Sequence, residues 1–333
     1  MSTPMRTKLP ALACAGLVLA TAISPAALAA TGAAPRSQAV TIDDRGSIVS
    51  ADLLARLSAE QVAAYLTRAK SPVPARPQGA DLYAVVYRTT AVDGAPTTAS
   101  GIVALPARSR KNLWTVSYEH GTLATKADAG SVSDGDGRAV PLLFAAAGFA
   151  GVAPDYLGLG KGPGFHPYMD SATEVSATAD LLRAAGELAG RKGRTLSGDL
   201  LVTGFSQGGQ AAMALGKSLR DDSTFRLRAV AATSGPYDAR NAEMPALLDG
   251  RLEPHIAAYY LAYWTVSMNR LHHLYDAPSE VFRDPRVEKL FDGRHSFDEI
   301  VAGLPASPRK LATAAYLERL APLRRAGEGD GVQ

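Results

Sequence analysis

The sequence predicts an α/β fold whose sheet is mostly parallel, opened by an antiparallel hairpin and followed by a helical cap. Three observations carry this. Leu82–Thr89 and Thr97–Leu105 are strand-like runs joined by a turn at Asp93-Gly94, a dipeptide suited to tight hairpins. From Leu113 to Thr233 strand-like and helical patterns alternate, which is how parallel sheets are built. Beyond Asp238 only helical patterns remain.

The chain begins with Arg6 and Lys8, the apolar run Leu9–Ile23, Ser24-Pro25 and Ala27-Leu28-Ala29. A basic start, an apolar segment and an A-x-A site describe a secretory signal peptide over 1–29, cut near Ala29 or Ala30. Pro25 and the small residues break the run before it reaches membrane-spanning length. Cys14, the one cysteine, lies in this segment, so an exported mature protein is expected without disulfides and stabilised by packing alone.

A linker and N-terminal helices are expected over 30–78. Ser50 is placed to cap a helix at Ala51–Leu57, and Ser58 with Gln61 has capping-box spacing ahead of Val62, Tyr65 and Leu66. Pro72, Pro74 and Pro77 then stop helix formation. The catalytic core is expected over 79–240, with the cap and a polar, glycine-rich tail over 241–333.

Within the core, the strand Leu113–Tyr118 runs into Glu119-His120-Gly121-Thr122, a helix spans Pro141–Ala147, and the strand Phe149–Ala153 ends in Pro154-Asp155-Tyr156-Leu157-Gly158-Leu159-Gly160. The helix from Ser171 to about Gly190 carries Val175, Ala179, Leu182, Ala185 and Ala189 on one face. Leu227–Thr233 is one more buried strand. In the cap, Ile256–Trp264, Asp284–Phe291, Ser296–Gly303 and Pro308–Leu320 read as helices. The aromatic residues of Ile256–Trp264 suit either an acyl pocket or an ordinary core.

The chemistry centres on Thr203-Gly204-Phe205-Ser206-Gln207-Gly208-Gly209. A strand precedes it and a helix follows, the context of a nucleophile elbow. Gly204 and Gly208 leave room where side chains would collide across the turn, and Gly209 lets the helix approach the sheet. The Gln207 amide, at the helix N-terminus, is placed to stabilise an acyl oxyanion.

Other classes are excluded by what surrounds this motif. The net charge of +3 over 333 residues, without a basic run interleaved with aromatics, argues against nucleic acid. No H-E-x-x-H or cysteine cluster implies a metal, and no organic cofactor is implied. The glycines at 158, 160, 162 and 164 fail the phosphate-loop spacing at Pro163, and no Gly-Lys-Ser/Thr follows. A loop pressed against the cap, fixed by Asp155 and Tyr156, is the better reading.

Tyr118-Glu119-His120-Gly121-Thr122, Pro154–Gly160, His166-Pro167-Tyr168 and Gly204–Gly209 together resemble the secretory lipase family of α/β-hydrolases, which includes fungal lipase A and actinobacterial exported esterases. The likeness runs from about Ser50 to the cap. It implies that Ser206 is the nucleophile, that Gln207 supplies one oxyanion amide and that the second donor comes from His120 or its neighbour Gly121. It also implies carboxylic, lipid-type esters as substrates, transient contact with lipid surfaces and a monomer. A peptidase or acyltransferase on the same fold stays open.

A triad in this fold runs Ser, then acid, then His, each after a further strand. Only 127 residues (333 − 206) follow Ser206, and the cap takes up most of them. The later histidines His255, His272, His273 and His295 all lie in helical or helix-flanking sequence. Asp276 with His295 has the right order, but the 18 residues between them read as helix and turn. The chain is therefore expected to lack the last two core strands of the family, leaving Leu227–Thr233 as an open edge. Two functions follow: a serine esterase or lipase, or a secreted binding protein that keeps the elbow without its base.

Overall fold

The structure, a computed structural model, describes residues 44–108 and 112–325, with side chains as far as 320. The signal peptide expected at 1–29, Cys14, the linker as far as residue 43 and the tail from Ala326 lie outside the described residues.

Ile48–Leu57 is a strand, β1, and not the helix expected from Ser50. It pairs antiparallel with β2 (Ala80–Thr90) from Ile48↔Tyr87 to Leu57↔Ala80. Register shifts after Ile48 and after Leu53 put consecutive residues out of step and erase the two-residue alternation that marks a strand. The backbone partners offered by β2 outweigh the helical preference of the Ala and Leu residues. Helix α1, Ala59–Arg68, starts as its sequence demands: Ser58 Oγ accepts from Gln61 N at 3.3 Å and Ser58 N donates to Gln61 Oε1 at 2.8 Å.

The hairpin joins β2 to β3 (Pro96–Pro106). There follow β4 (Asn112–Glu119), α2 (Asp136–Ala146), β5 (Ala150–Pro154), α3 (Ser171–Arg191), β6 (Thr195–Phe205), α4 (Gln207–Ser218) and β7 (Arg226–Thr233). The strands lie in the order β1-β2-β3-β5-β4-β6-β7. The half running β5-β4-β6-β7 is parallel, as expected. The antiparallel half is larger than the hairpin alone, because β1 extends it and β3 meets β5 antiparallel.

One face of the sheet packs Val85, Val103, Val152 and Val202 against Leu181, Leu188 and Leu215 of α3 and α4. The other packs Leu82, Ile102 and Ala153 against Val62, Leu66 and Leu142 of α1 and α2. Two covered faces leave the loops at the carboxyl ends of β4, β5 and β6 to build the site.

The cap comprises α5 (Met244–Asp249), α6 (Pro254–His272), α7 (Phe297–Gly303), α8 (Pro308–Leu311) and α9 (Ala314–Arg325). Its own core gathers Tyr259, Tyr263, Phe282, Phe291, Ile300 and Leu311. Asp284–Phe291 is a 3-10 turn over Pro285–Leu290. The single helix expected over Pro308–Leu320 breaks at Ala312, which leaves helical pairing to bridge Phe282. Among the described residues no strand follows β7, and β7 forms one edge of the sheet.

Candidate active site

Ser206 stands alone between β6, which ends at Phe205, and α4, which begins at Gln207. Its φ of +58° and ψ of −126° place a non-glycine residue in a region that costs an L-residue energy. Its backbone is tied down by Ser206 N donating to Thr233 O at 3.0 Å and by Gly209 N donating to Ser206 O at 2.8 Å. The glycines around it are needed for close approach. A methyl at Gly208 would run into Glu119 O and lie 2.7 Å from His120 O, and one at Gly209 would lie 2.8 Å from Thr233 O. A methyl at Gly204 would run into Gly208 O.

The loop after β4 therefore presses directly on the elbow. Gly121 is beside Ser206: a Cβ there would be 3.6 Å from Ser206 Cβ and 3.5 Å from Phe205 O. The Gln207 amide, first in α4, is among the four N–H groups a helix leaves without an internal acceptor. The His120 ring turns inward, with Nδ1 2.7 Å from Gly121 O and Nε2 3.3 Å from Asp155 O. Burial lowers its pKa, so the ring is neutral and donates to one of these carbonyls.

Asp155 fixes the end of β5. Its Oδ2 accepts from Ser100 Oγ at 2.6 Å and its Oδ1 from Ser131 N at 3.1 Å. Tyr156, at φ +65°, stacks on His166 with ring centroids 5.9 Å apart. The glycine loop folds on itself, since Gly158 packs against the backbone of Phe165 and His166. It also meets the cap, where Arg270 of α6 lies 5.4 Å from the Phe165 ring.

Beneath the elbow lies a buried polar floor. Gln207 Nε2 donates to Glu174 Oε1 at 2.8 Å and stands 3.1 Å from His166 Nε2. His166 Nδ1 donates to Leu157 O at 3.0 Å, which leaves Nε2 as the acceptor. Burial pushes the His166 pKa down to about 3, so the ring stays neutral. Glu119 accepts from Ser117 Oγ at 2.6 Å and from Thr178 Oγ1 at 3.0 Å. Burial pushes its pKa up to about 7, and that of Glu174 up to about 8. Sequence reading missed Glu174. Its spacing with Ala177, Thr178 and Leu181, all buried, was the available signal: a carboxylate on the inner stripe of an amphipathic helix.

Above Ser206 opens a cavity of about 530 Å³, lined by Ser206, Gln207, Tyr168, Met244, Leu247, Tyr260 and Trp264 among others. The aromatic run of α6 divides its work. Tyr260 and Trp264 line the cavity, whereas Tyr259 and Tyr263 are buried in the cap core and Tyr263 stacks on Tyr168 at 4.2 Å.

No histidine or aspartate lines this cavity among the described residues; Glu243 is the carboxylate that does. Asp276 and His295 are not paired with each other. Asp276 Oδ1 is 2.8 Å from His273 Nε2, and Asp292 Oδ1 is 2.9 Å from His295 Nδ1. Each is a local pair three residues apart on the cap. His255 and His272 are exposed. Among the described residues no cluster of His, Cys, Asp or Glu could hold a metal ion.

Solved structures similar to this chain are hydrolases, esterases and a lipase. The rice cell wall degrading esterase LipA from Xanthomonas oryzae matches with 27% identity and a TM-score of 0.73, over 85% of this chain and 78% of that one. The chain has an α/β-hydrolase fold. A Legionella pneumophila protein assigned as a hydrolase matches this α/β-hydrolase at 28% identity and a TM-score of 0.73, over 84% of this chain and 76% of that one. Lipase A of Candida antarctica shares the fold at 14% identity and a TM-score of 0.58, over 84% of this chain and 62% of that one. No protein-family model and no curated protein matches the sequence.

Proposed function

We propose that this α/β-hydrolase cleaves carboxylic esters, lipid esters among them, through an acyl-enzyme on Ser206. The observation that carries the proposal is a serine held at φ +58° at the floor of an apolar cavity of about 530 Å³. Ser206 Oγ attacks the ester carbonyl, the carbonyl oxygen takes the negative charge, and the alcohol leaves with a proton. Water then frees the acid. The Gln207 amide, reinforced by the α4 dipole, and the Gly121 backbone amide hold the oxyanion. The His120 ring shapes that loop from behind and is not the base, since both of its nitrogens face carbonyls. The acyl chain lies against Tyr260, Trp264, Met244 and Leu247. Export through the N-terminal segment 1–29, a monomeric state and transient contact with lipid surfaces complete the proposal. The N-terminal residue of the secreted protein checks the first.

A second reading rests on one observation: no histidine lines the cavity among the described residues. Without a base, Ser206 is inert and the cavity binds a ligand without turning it over. Labelling with a fluorophosphonate, with Ser206→Ala as control, separates the two. Serine-dependent labelling supports the hydrolase; its absence in folded protein supports the binding protein.

A further inference from the structure

Three buried acceptor oxygens belong to α3 and the first turn of α4: Glu174 Oε2, Gln207 Oε1 and Gln210 Oε1, each without a hydrogen-bond partner. A buried acceptor without a partner costs free energy, and three together cost more. The neighbouring donors are already committed. Gln207 Nε2 serves Glu174 Oε1 and His166 Nε2, and Gln210 Nε2 serves Ser171 Oγ. Glu174 is 1% exposed and Gln207 1%, and Glu174 has no cationic partner among the described residues.

One proton eases the conflict. Placed on Glu174 Oε2, it turns an orphan acceptor into a donor beside α4, able to serve one glutamine carbonyl. We propose that Glu174 is a positioning residue acting in its protonated form, accepting from Gln207 through Oε1 and donating to one α4 glutamine oxygen through Oε2. It thereby holds the turn whose backbone carries Ser206 and the Gln207 oxyanion amide.

Burial and the nearby acids favour the neutral form and outweigh the Gln207 and Gln210 amides, which favour the carboxylate. Glu119 at the end of β4 and Asp170 at the start of α3 both raise the Glu174 pKa, and burial raises it most, to about 8. His166, facing Gln207 from the loop after β5, is neutral and offers no positive charge. As pH rises past that point, the proton passes to solvent. The carboxylate then confronts the glutamine oxygens as a charged acceptor among acceptors, and the first turn of α4 loosens.

The inference rests on the ester-hydrolase reading for its kinetic test, so a second test avoids activity altogether. Kinetically, Glu174→Gln keeps an acceptor and a donor in the same place. It is expected to hold kcat/KM near neutral pH within about 3-fold of wild type and to abolish the alkaline decline. Glu174→Ala is expected to lower kcat about 10- to 100-fold with KM little changed, since small displacements of reacting groups carry such penalties. An alkaline limb that persists unchanged in Glu174→Gln, or a Glu174→Gln loss as large as that of Glu174→Ala, overturns the proposal. Spectroscopically, the infrared difference between wild type and Glu174→Gln at pH 6 is expected to contain one protonated-carboxyl C=O band. Its absence overturns the proposal whether or not Ser206 reacts. Absence of fluorophosphonate labelling with the band present instead sinks the hydrolase reading and leaves the proton where it is placed here.

Discussion

Replacing Gly208 by alanine tests the claim that the oxyanion loop and the elbow are in direct backbone contact. The new methyl would overlap Glu119 O and lie 2.7 Å from His120 O, whereas ordinary contacts begin at 3.4 Å. Relief at His120 O alone needs about 0.7 Å of movement, and at Glu119 O about twice that, so α4 and the loop after β4 must part by about 1.5 Å. Neither obstacle is a side chain that can rotate away. Overpacking of this kind costs about 2–4 kcal/mol, which lowers the melting temperature by about 5–10 °C in a domain of this size. The same displacement separates Gly121 from Ser206 and is expected to slow acylation about 100-fold. Thermal unfolding by circular dichroism and the rate of fluorophosphonate labelling measure the two effects. Gly186→Ala in α3, where an added methyl meets nothing within 4 Å, is the control and should gain about 0.5–1 kcal/mol. A Gly208→Ala protein that melts and labels like wild type would show that the two segments are not in contact, and the proposed oxyanion geometry would fall with them.

Three further outcomes are expected. His295→Ala leaves labelling of Ser206 within about 2-fold of wild type, because the ring pairs with Asp292 away from the cavity; abolished labelling would make His295 the base. Trp264→Ala enlarges the cavity and shifts the preference among p-nitrophenyl esters toward longer acyl chains, with kcat/KM for the preferred chain changing about 10-fold. His166 has a folded pKa of about 3 against an ordinary 6.5, so its stabilising contribution is complete above pH 6.5 and is lost as pH falls toward 3. Guanidinium unfolding across that window should show wild type losing on the order of 3–5 kcal/mol relative to His166→Asn, the raised pKa values of Glu119 and Glu174 acting alike in both.

Much of the site was legible because elbows announce themselves locally. Gly204 is demanded by Gly208 four residues on, and the strand and helix beside the turn follow from short-range pattern, although the obstacles at Gly208 and Gly209 are Glu119 and Thr233, distant in sequence. The capping box at Ser58 was legible for the same reason. β1 was not, since it exists through its pairing with β2 some 30 residues later and its bulges scramble the alternation. Glu174 was hidden for a different reason: a carboxylate on a helix reads as solvated, and only the convergence of α3, α4 and β4 buries it beside Gln207 and Glu119. The missing pairing of Asp276 with His295 shows the limit of order along the chain. Both residues are present in the right sequence, and each is satisfied by a neighbour three positions away.

Ser206 is anchored to the edge of the sheet. Ser206 N donates to Thr233 O, the last residue of β7, a strand with one neighbour. Arg226 and Arg228 clip the other end of β7 to Asp199 at 2.9 Å and 2.6 Å, while the Thr233 end lacks such a clip among the described residues. Edge strands open more readily than central ones, so each excursion of this end also releases the serine amide. Hydrogen exchange at that single amide then clocks how often the elbow comes undone. The lifetime of the Ser206 turn is then expected to follow the fraying of a neighbouring strand.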